Sequence, residues 1–185
     1  MKKIILLRHG KPIFELKGAV RARDLPIIAS SYDCSGIADR PANTTISALS
    51  ESKFIVCSSL KRSVDSAKAL GHTEIHLTDE LFCESAIPHF ETGAIKLPII
   101  VWIFILRLFW LFGFSRNGES LTQARSRAKK AAASLTQLAT EHRQVLFVGH
   151  GLINSLIARE LRKTGWRGSS NPSRTYWEYS VFEQS

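Results

Sequence analysis

Apolar residues run along this chain in two rhythms. The first is the short unbroken run: Ile4-Ile5-Leu6-Leu7, Phe54-Ile55-Val56-Cys57 and Val145-Leu146-Phe147-Val148 each end at a charged or small residue. Such runs fit strands buried on both faces of a parallel sheet. The second is helical spacing. Leu60, Val64, Ala67 and Leu70 form one stripe, with Ser58 or Ser59 as candidate N-caps and Gly71 just past the end. Ser120 and Gln123 form a capping box for a long helix from about Leu121 to Thr140, which turns Leu121, Ala124, Ala128, Ala131, Leu135 and Leu138 inward. After Gly151, Leu152, Leu156, Ile157 and Leu161 predict a further helix that stops near Gly165.

Other segments are less periodic. From Gly10 to about Asn43 the chain carries Pro12, Gly18, Pro26, Gly36 and Pro41, which predicts a long loop with short helical pieces, and loops of that length at a strand end are usually functional. Thr44 to Ser52 predicts a short helix, Glu74 to Leu77 a third short strand, and Tyr176 to Phe182 a final strand at the sheet edge. The alternation of strands and helices gives an α/β fold with a mostly parallel central sheet. At 185 residues the chain is expected to form one domain, 1–185, and to bury a core without disulfides or metal.

Residues 97–114 break both rhythms, being apolar on every side of a helical wheel except at Arg107. Their length would allow a short membrane span, yet a single span would put the strands before and after it on opposite sides of a bilayer, where they could not share a sheet. The segment therefore reads as a buried or interface helix. Peripheral membrane contact, a homodimer through 97–114, and a lid for a substrate with an apolar part remain open.

Composition sharpens the picture in two places. Cys34, Cys57 and Cys83 are odd in number and lack CxxC spacing, so they read as reduced thiols and point to a cytoplasmic address. Only four apolar residues follow the first lysines, too few for a signal peptide. The formal net charge is +9, and residues 1–23 hold seven basic side chains against Glu15 alone. That field surrounds the exit of the first strand and suits a small anionic substrate; without aromatics interleaved along a basic groove, nucleic acid is not expected.

The chemistry gathers at the three strand exits, which carry Arg8-His9-Gly10, Ser58-Ser59 with Arg62 a turn further on, and Gly149-His150-Gly151. A neutral imidazole, here His9, is a competent nucleophile toward a phosphomonoester when a hydrogen bond fixes its other nitrogen. Guanidinium forks at Arg8 and Arg62 match the equatorial oxygens of a transferring phosphoryl group, and His150 can add a donor. Gly151 lets a helix N-terminus approach the anion, Lys11 adds charge beside it, and Glu84, after the third strand, is placed to protonate the leaving oxygen. His72 and His76 have a spacing that binds metal only on a helix, so no metal site is expected. Cys57 lies one residue too close to Arg62 for the loop of cysteine-dependent phosphatases and reads as a buried structural thiol.

Leu6-Leu7-Arg8-His9-Gly10-Lys11-Pro12, Ser58-Ser59-Leu60-Lys61-Arg62-Ser63 and Val148-Gly149-His150-Gly151 together resemble the histidine phosphatase, or phosphoglycerate-mutase-like, superfamily, from residue 4 to about 163. The resemblance implies a three-layer α/β/α sandwich and a metal-independent, cofactor-free phosphatase. In it His9 is phosphorylated, Arg8, Arg62 and His150 bind phosphate, and Glu84 is the proton donor. It also implies that the apolar segment at about 86–116 is a substrate cap. The chain departs from the family pattern at Lys11-Pro12-Ile13-Phe14 and at Ser66, where many members have threonine. Mutase activity is not expected, because relatives with it are longer and have a polar cap. The competing reading is an idle phosphate-binding or membrane-associated interaction module, against which the retained His9 argues.

Overall fold

A computed structural model describes residues 1–185. In chain order its elements are β1 (Lys2–Arg8), β2 (Ala19–Arg21), α1 (Leu25–Asp33), α2 (Asn43–Leu49), β3 (Ile55–Ser58), α3 (Lys61–Ala69), β4 (Leu77–Asp79), β5 (Lys96–Pro98), α4 (Ile99–Leu111), α5 (Leu121–His142), β6 (Gln144–Gly149), α6 (Gly151–Lys163), β7 (Arg167–Gly168) and β8 (Tyr179–Gln184). The central sheet has the order β4-β3-β6-β1-β8-β7, with β4, β3, β6 and β1 parallel and β8 antiparallel to β1.

Alternation along these strands builds two cores. Ile4, Leu6, Val56, Val145 and Phe147 face α5 and α6, where Ala128, Ala131, Leu135, Ile153, Ile157 and Leu161 are buried. Ile5, Leu7, Ile55, Cys57, Leu146 and Val148 face the other way, onto Leu49 of α2 and Ala67 and Leu70 of α3. The layers are thus helix, sheet, helix, and both faces of the central strands are apolar because both are covered. The capping box on α5 forms as expected: Ser120 Oγ accepts from the Gln123 N–H while Gln123 Oε1 accepts from the Ser120 N–H.

The structure differs from the sequence reading in four places. The third strand is Leu77–Asp79 rather than Glu74–Leu77; its pairing with Val56 to Ser58, not its own pattern, sets its position. Neither Ser58 nor Ser59 caps α3, whose N-cap is Leu60, because the Ser58 hydroxyl is engaged by His150. The last strand is not an edge, since β7 pairs outside it. The stretch from Gly10 to Asn43 contains the nine-residue α1 and the strand β2, which pairs with β5 in a separate two-stranded sheet.

Within residues 97–114 the expected helix forms. Their helix, α4, buries Ile99, Trp102, Leu106 and Trp110 and exposes the opposite face. The buried side packs on Ala22 and Leu25, and the Trp102 indole donates to the Val20 carbonyl at 3.0 Å.

The close packing at the end of β6 gives a test of the fold. A Cβ on Gly149 would lie 2.3 Å from Asn154 Oδ1 and 2.4 Å from the Phe147 ring. Gly149→Ala is expected to destabilise the protein by roughly 1–3 kcal/mol, the cost of overpacking a tight site, as a lower urea midpoint at unchanged m-value. An unchanged midpoint would show that the α6–β6 contact yields freely.

Candidate active site

Parallel register brings the strand exits to one level. Arg8 pairs with Gly149 across β1 and β6, and Cys57 pairs with Val148 across β3 and β6. His9, Ser58 and His150 consequently meet at the carboxyl edge of the sheet, where ligands of open α/β sheets bind. The two imidazoles lie edge to face with centroids 4.8 Å apart, and both are buried.

Each ring is fixed by its neighbours. His9 Nδ1 lies 2.7 Å from the Gly10 carbonyl, which can only accept, so Nδ1 carries the hydrogen and Nε2 keeps its lone pair. Burial pushes the His9 pKa down to about 3, against the pull of the Gly10 carbonyl, and Arg62 and Arg8 lower it further. His150 Nε2 lies 2.7 Å from Ser58 Oγ. Burial first, and then His9, Arg62 and Arg8, hold its pKa well below the usual histidine value. Both rings are neutral near pH 7.

The cations are held by aromatic faces and backbone. The Arg8 guanidinium lies 4.1 Å over the Tyr176 ring and that of Arg62 4.6 Å over the Tyr32 ring. Arg62, 1% exposed, donates from Nη1 to the Tyr32 carbonyl at 3.1 Å and from Nη2 to Asp33 Oδ1 at 3.2 Å. Three buried nitrogens around His9 have no hydrogen-bond partner: Arg8 Nε, Arg62 Nε and His150 Nδ1. Buried polar groups are rarely left so, and a cluster of unpaired nitrogens, two of them on cations, matches a multiply negative oxyanion.

The loops are tied to the same framework. The Gly10 N–H donates to Ser66 Oγ at 2.9 Å, and that hydroxyl donates to the Arg62 carbonyl at 2.6 Å. Serine at 66 thus links Arg62 to the residue after His9. Asp39 Oδ1 accepts from the Lys11 N–H at 2.7 Å and from the Trp177 indole at 2.9 Å. A Cβ on Gly10 would meet that indole at 2.3 Å, so only glycine fits. The Lys11 side chain is exposed and lines, with Phe14, Lys17, Tyr32 and Tyr176, a cleft of about 250 Å³. A Cβ on Gly151 would stand 3.6 Å from the Arg8 guanidinium, which puts the start of α6 beside that cation.

Glu84 reaches the site by an unexpected route. Its Oε2 accepts from the Leu152 N–H and its Oε1 from the Ile153 N–H, both at 3.0 Å. The carboxylate therefore occupies the positive end of α6, as an anion does. Arg127 on α5 holds the segment bearing Glu84, donating to the Leu81 carbonyl at 2.8 Å and the Cys83 carbonyl at 2.7 Å while pairing through two nitrogens with Glu119. Arg107, the one charge on α4, donates to the Ser85 carbonyl at 2.6 Å, and its Nη1 is buried without a partner.

Tyr32, Tyr176, Arg107 and Arg127 carry no strand-exit signal, and tertiary contacts alone bring them here. The one sequence-local trace of Arg127 is its partner Glu119, which directly precedes the Ser120 cap of α5. The Cys57 thiol is buried and pushed up to about 12 by desolvation, which leaves it protonated and inert. His76 lies outside any helix, with Nδ1 accepting from the Ile55 N–H at 3.2 Å.

The family model that matches this chain is that of the histidine phosphatase superfamily (branch 1), over residues 4–183. None of the curated proteins matches in sequence. Among solved structures, the open reading frame Rv3214 from Mycobacterium tuberculosis aligns with a TM-score of 0.64 at 20% identity, covering 97% of this chain and 90% of that one. YhfR from Bacillus stearothermophilus aligns with a TM-score of 0.64 at 16% identity, covering 99% and 91%. The mycobacterial glucosyl-3-phosphoglycerate phosphatase Rv2419c aligns with a TM-score of 0.58 at 21% identity, covering 88% and 80%. At such identities the likeness is one of fold.

Holding two imidazoles neutral has a cost in acid. Once unfolded, both titrate near 6.5, whereas in the folded chain His9 stays neutral down to about 3 and His150 well below 6.5. Between those values the unfolded state binds more protons, so stability is intact above about pH 6.5 and is lost as pH falls, at up to about 1.4 kcal/mol per pH unit for each ring. Urea denaturation from about pH 7 down to about pH 4 is expected to show a falling midpoint, with a shallower fall in His9→Asn. Equal slopes in the two proteins would show that His9 is not held neutral.

Proposed function

We infer a phosphatase from the premise that the chain belongs to the histidine phosphatase superfamily (branch 1). The substrate is a small phosphomonoester. The observation that carries the reading is the ring of unpartnered buried nitrogens, Arg8 Nε, Arg62 Nε and His150 Nδ1, around an imidazole whose Nε2 is free.

Phosphate enters among Arg8, Arg62 and His150. With the Ser58 hydroxyl donating to Nε2, neutral His150 carries its hydrogen on Nδ1 and donates it to a phosphate oxygen. His9 Nε2 attacks phosphorus, a P–N bond forms and the P–O bond to the leaving group breaks. The two guanidinium groups spread over the equatorial oxygens and stabilise charge where it builds up.

The leaving alkoxide takes a proton from Glu84. In the unliganded arrangement the Glu84 carboxylate occupies the N-terminus of α6. An incoming phosphomonoester competes for that positive end, and the displaced carboxylate takes a proton from the monoanionic ester or from solvent and passes it to the leaving oxygen. Water then attacks the phosphohistidine while Glu84 takes its proton. The P–N bond breaks, and phosphate and neutral His9 are regenerated. Positive charge comes from Arg8 and Arg62, so no step uses a metal ion or organic cofactor. Lys11 and Gly151 border the anion and contribute to substrate binding.

The test is inorganic phosphate release from a broad panel of phosphomonoesters in excess EDTA. Wild-type turnover is expected under chelation, with a loss of about a thousandfold or more in His9→Ala, the order seen when a nucleophile is removed. Turnover that survives His9→Ala, or that EDTA abolishes, overturns the mechanism.

A further inference from the structure

Of the surfaces that the proposed chemistry does not use, the outer side of α4 is the most distinctive. Ile100, Val101, Phe104, Leu108, Leu111 and Phe112 are exposed on the side opposite Trp102 and Leu106, with Phe104 69% and Phe112 84% accessible. No polar residue interrupts that face, for Arg107 lies at its margin and turns inward to the Ser85 carbonyl. Ile95, just before β5, is also exposed, at 66%.

The rim of this surface is basic. Between Lys96 and Arg116, both exposed, the chain contains no acidic residue. The strand β2, which pairs with β5 at the start of α4, adds the exposed Arg21, and Arg23 follows it. The acids that flank the segment in the chain are Glu91 and Glu119, and Glu119 is held by Arg127; Asp24 is occupied by the Arg21 N–H and the Arg23 guanidinium. Overall the protein carries a formal charge of +9.

We propose that the outer face of α4 docks the protein on an anionic lipid surface. At 13 residues the helix is about 20 Å long, against the about 30 Å of a bilayer core, so it lies in the interface rather than crossing it. Aliphatic and phenyl side chains enter the headgroup–acyl boundary while Lys96, Arg116, Arg21 and Arg23 meet lipid phosphates. Self-association fits less well, because a two-fold contact through this face would bring the same basic rim against itself in a protein already strongly positive. Docking does not depend on the phosphatase reading.

The test is co-sedimentation of the full chain with phosphatidylcholine vesicles, with and without phosphatidylglycerol, beside a Phe104→Glu/Phe112→Glu variant. Both positions are exposed, so the variant is expected to keep its circular dichroism spectrum and its turnover of soluble p-nitrophenyl phosphate. Wild type is expected to partition onto the phosphatidylglycerol vesicles in preference to neutral ones, and the variant to bind about tenfold less or weaker still. Failure of wild type to bind, equal binding to neutral vesicles, or binding that survives the double substitution overturns the proposal. So does a wild-type dimer in sedimentation velocity that the variant abolishes while neither protein binds lipid. Vesicle binding without turnover of any ester would overturn the phosphatase reading and leave docking standing; turnover without vesicle binding would do the reverse.

Discussion

Arg8 lies level with Gly149 and Cys57 with Val148, and from that parallel register the rest of the site follows. A slip of one residue in either pairing would turn every side chain of the strand to the opposite face. It would also separate His9 from His150. Both cores fix the alignment: each central strand is apolar on its two faces and covered on both. Cross-links at the strand ends then lock it. The Ser58 N–H donates to Ser63 Oγ at 3.1 Å, the Ser63 hydroxyl donates to the Val148 carbonyl, and the Asn154 amide donates to the Leu7 carbonyl at 3.0 Å. These bonds join β3, α3 and β6 in one group, and α6 and β1 in the other, at the level where the imidazoles sit.

The register concentrates groups that resist burial. Two guanidinium ions and two imidazoles share one sheet edge, and removing charge from water is costly unless it is paired. The structure meets that cost differently for each type. The imidazoles give up their charge, Arg8 lies over Tyr176, and Arg62 is held by Tyr32 and Asp33. What stays unsatisfied is one nitrogen on each of Arg8, Arg62 and His150. In the proposed function stability and recognition draw on the same atoms, since an oxyanion that pairs with them would also relieve the desolvation of the folded state.

Much of this was legible in the chain. An apolar run that stops at Arg8-His9-Gly10, and another at Gly149-His150-Gly151, places its polar residues at a strand exit whatever the details of the fold. Arg62 follows from the helical turn after β3. The partners of these residues were not legible. Tyr176 reaches Arg8 from just before the last strand, Tyr32 reaches Arg62 from α1, and Arg127 supports the Glu84 segment from α5. Such contacts leave no periodic trace. The third strand was misplaced for a related reason: three residues are too few to show alternation, and pairing with β3 decides which three they are.

Helix α4 shows the limit of pattern reading most clearly. On a wheel it is apolar all round, which fits a buried or an interface helix without marking which side is covered; one face is covered by α1 and β2 and the other is not. Hydropathy could not separate them, because the two faces differ in neighbours and not in composition. The asymmetry that did exist in the sequence lay in Arg107, whose position on the wheel marks the boundary between the faces. Its guanidinium runs back to the Ser85 carbonyl, next to Glu84, and burial lowers its pKa against the opposing pull of Glu84. One helix thus offers lipid-like chemistry outward while its one charge reaches the segment that carries Glu84. An amphiphile held against the outer face would lie about one helix diameter, roughly 10 Å, from that segment.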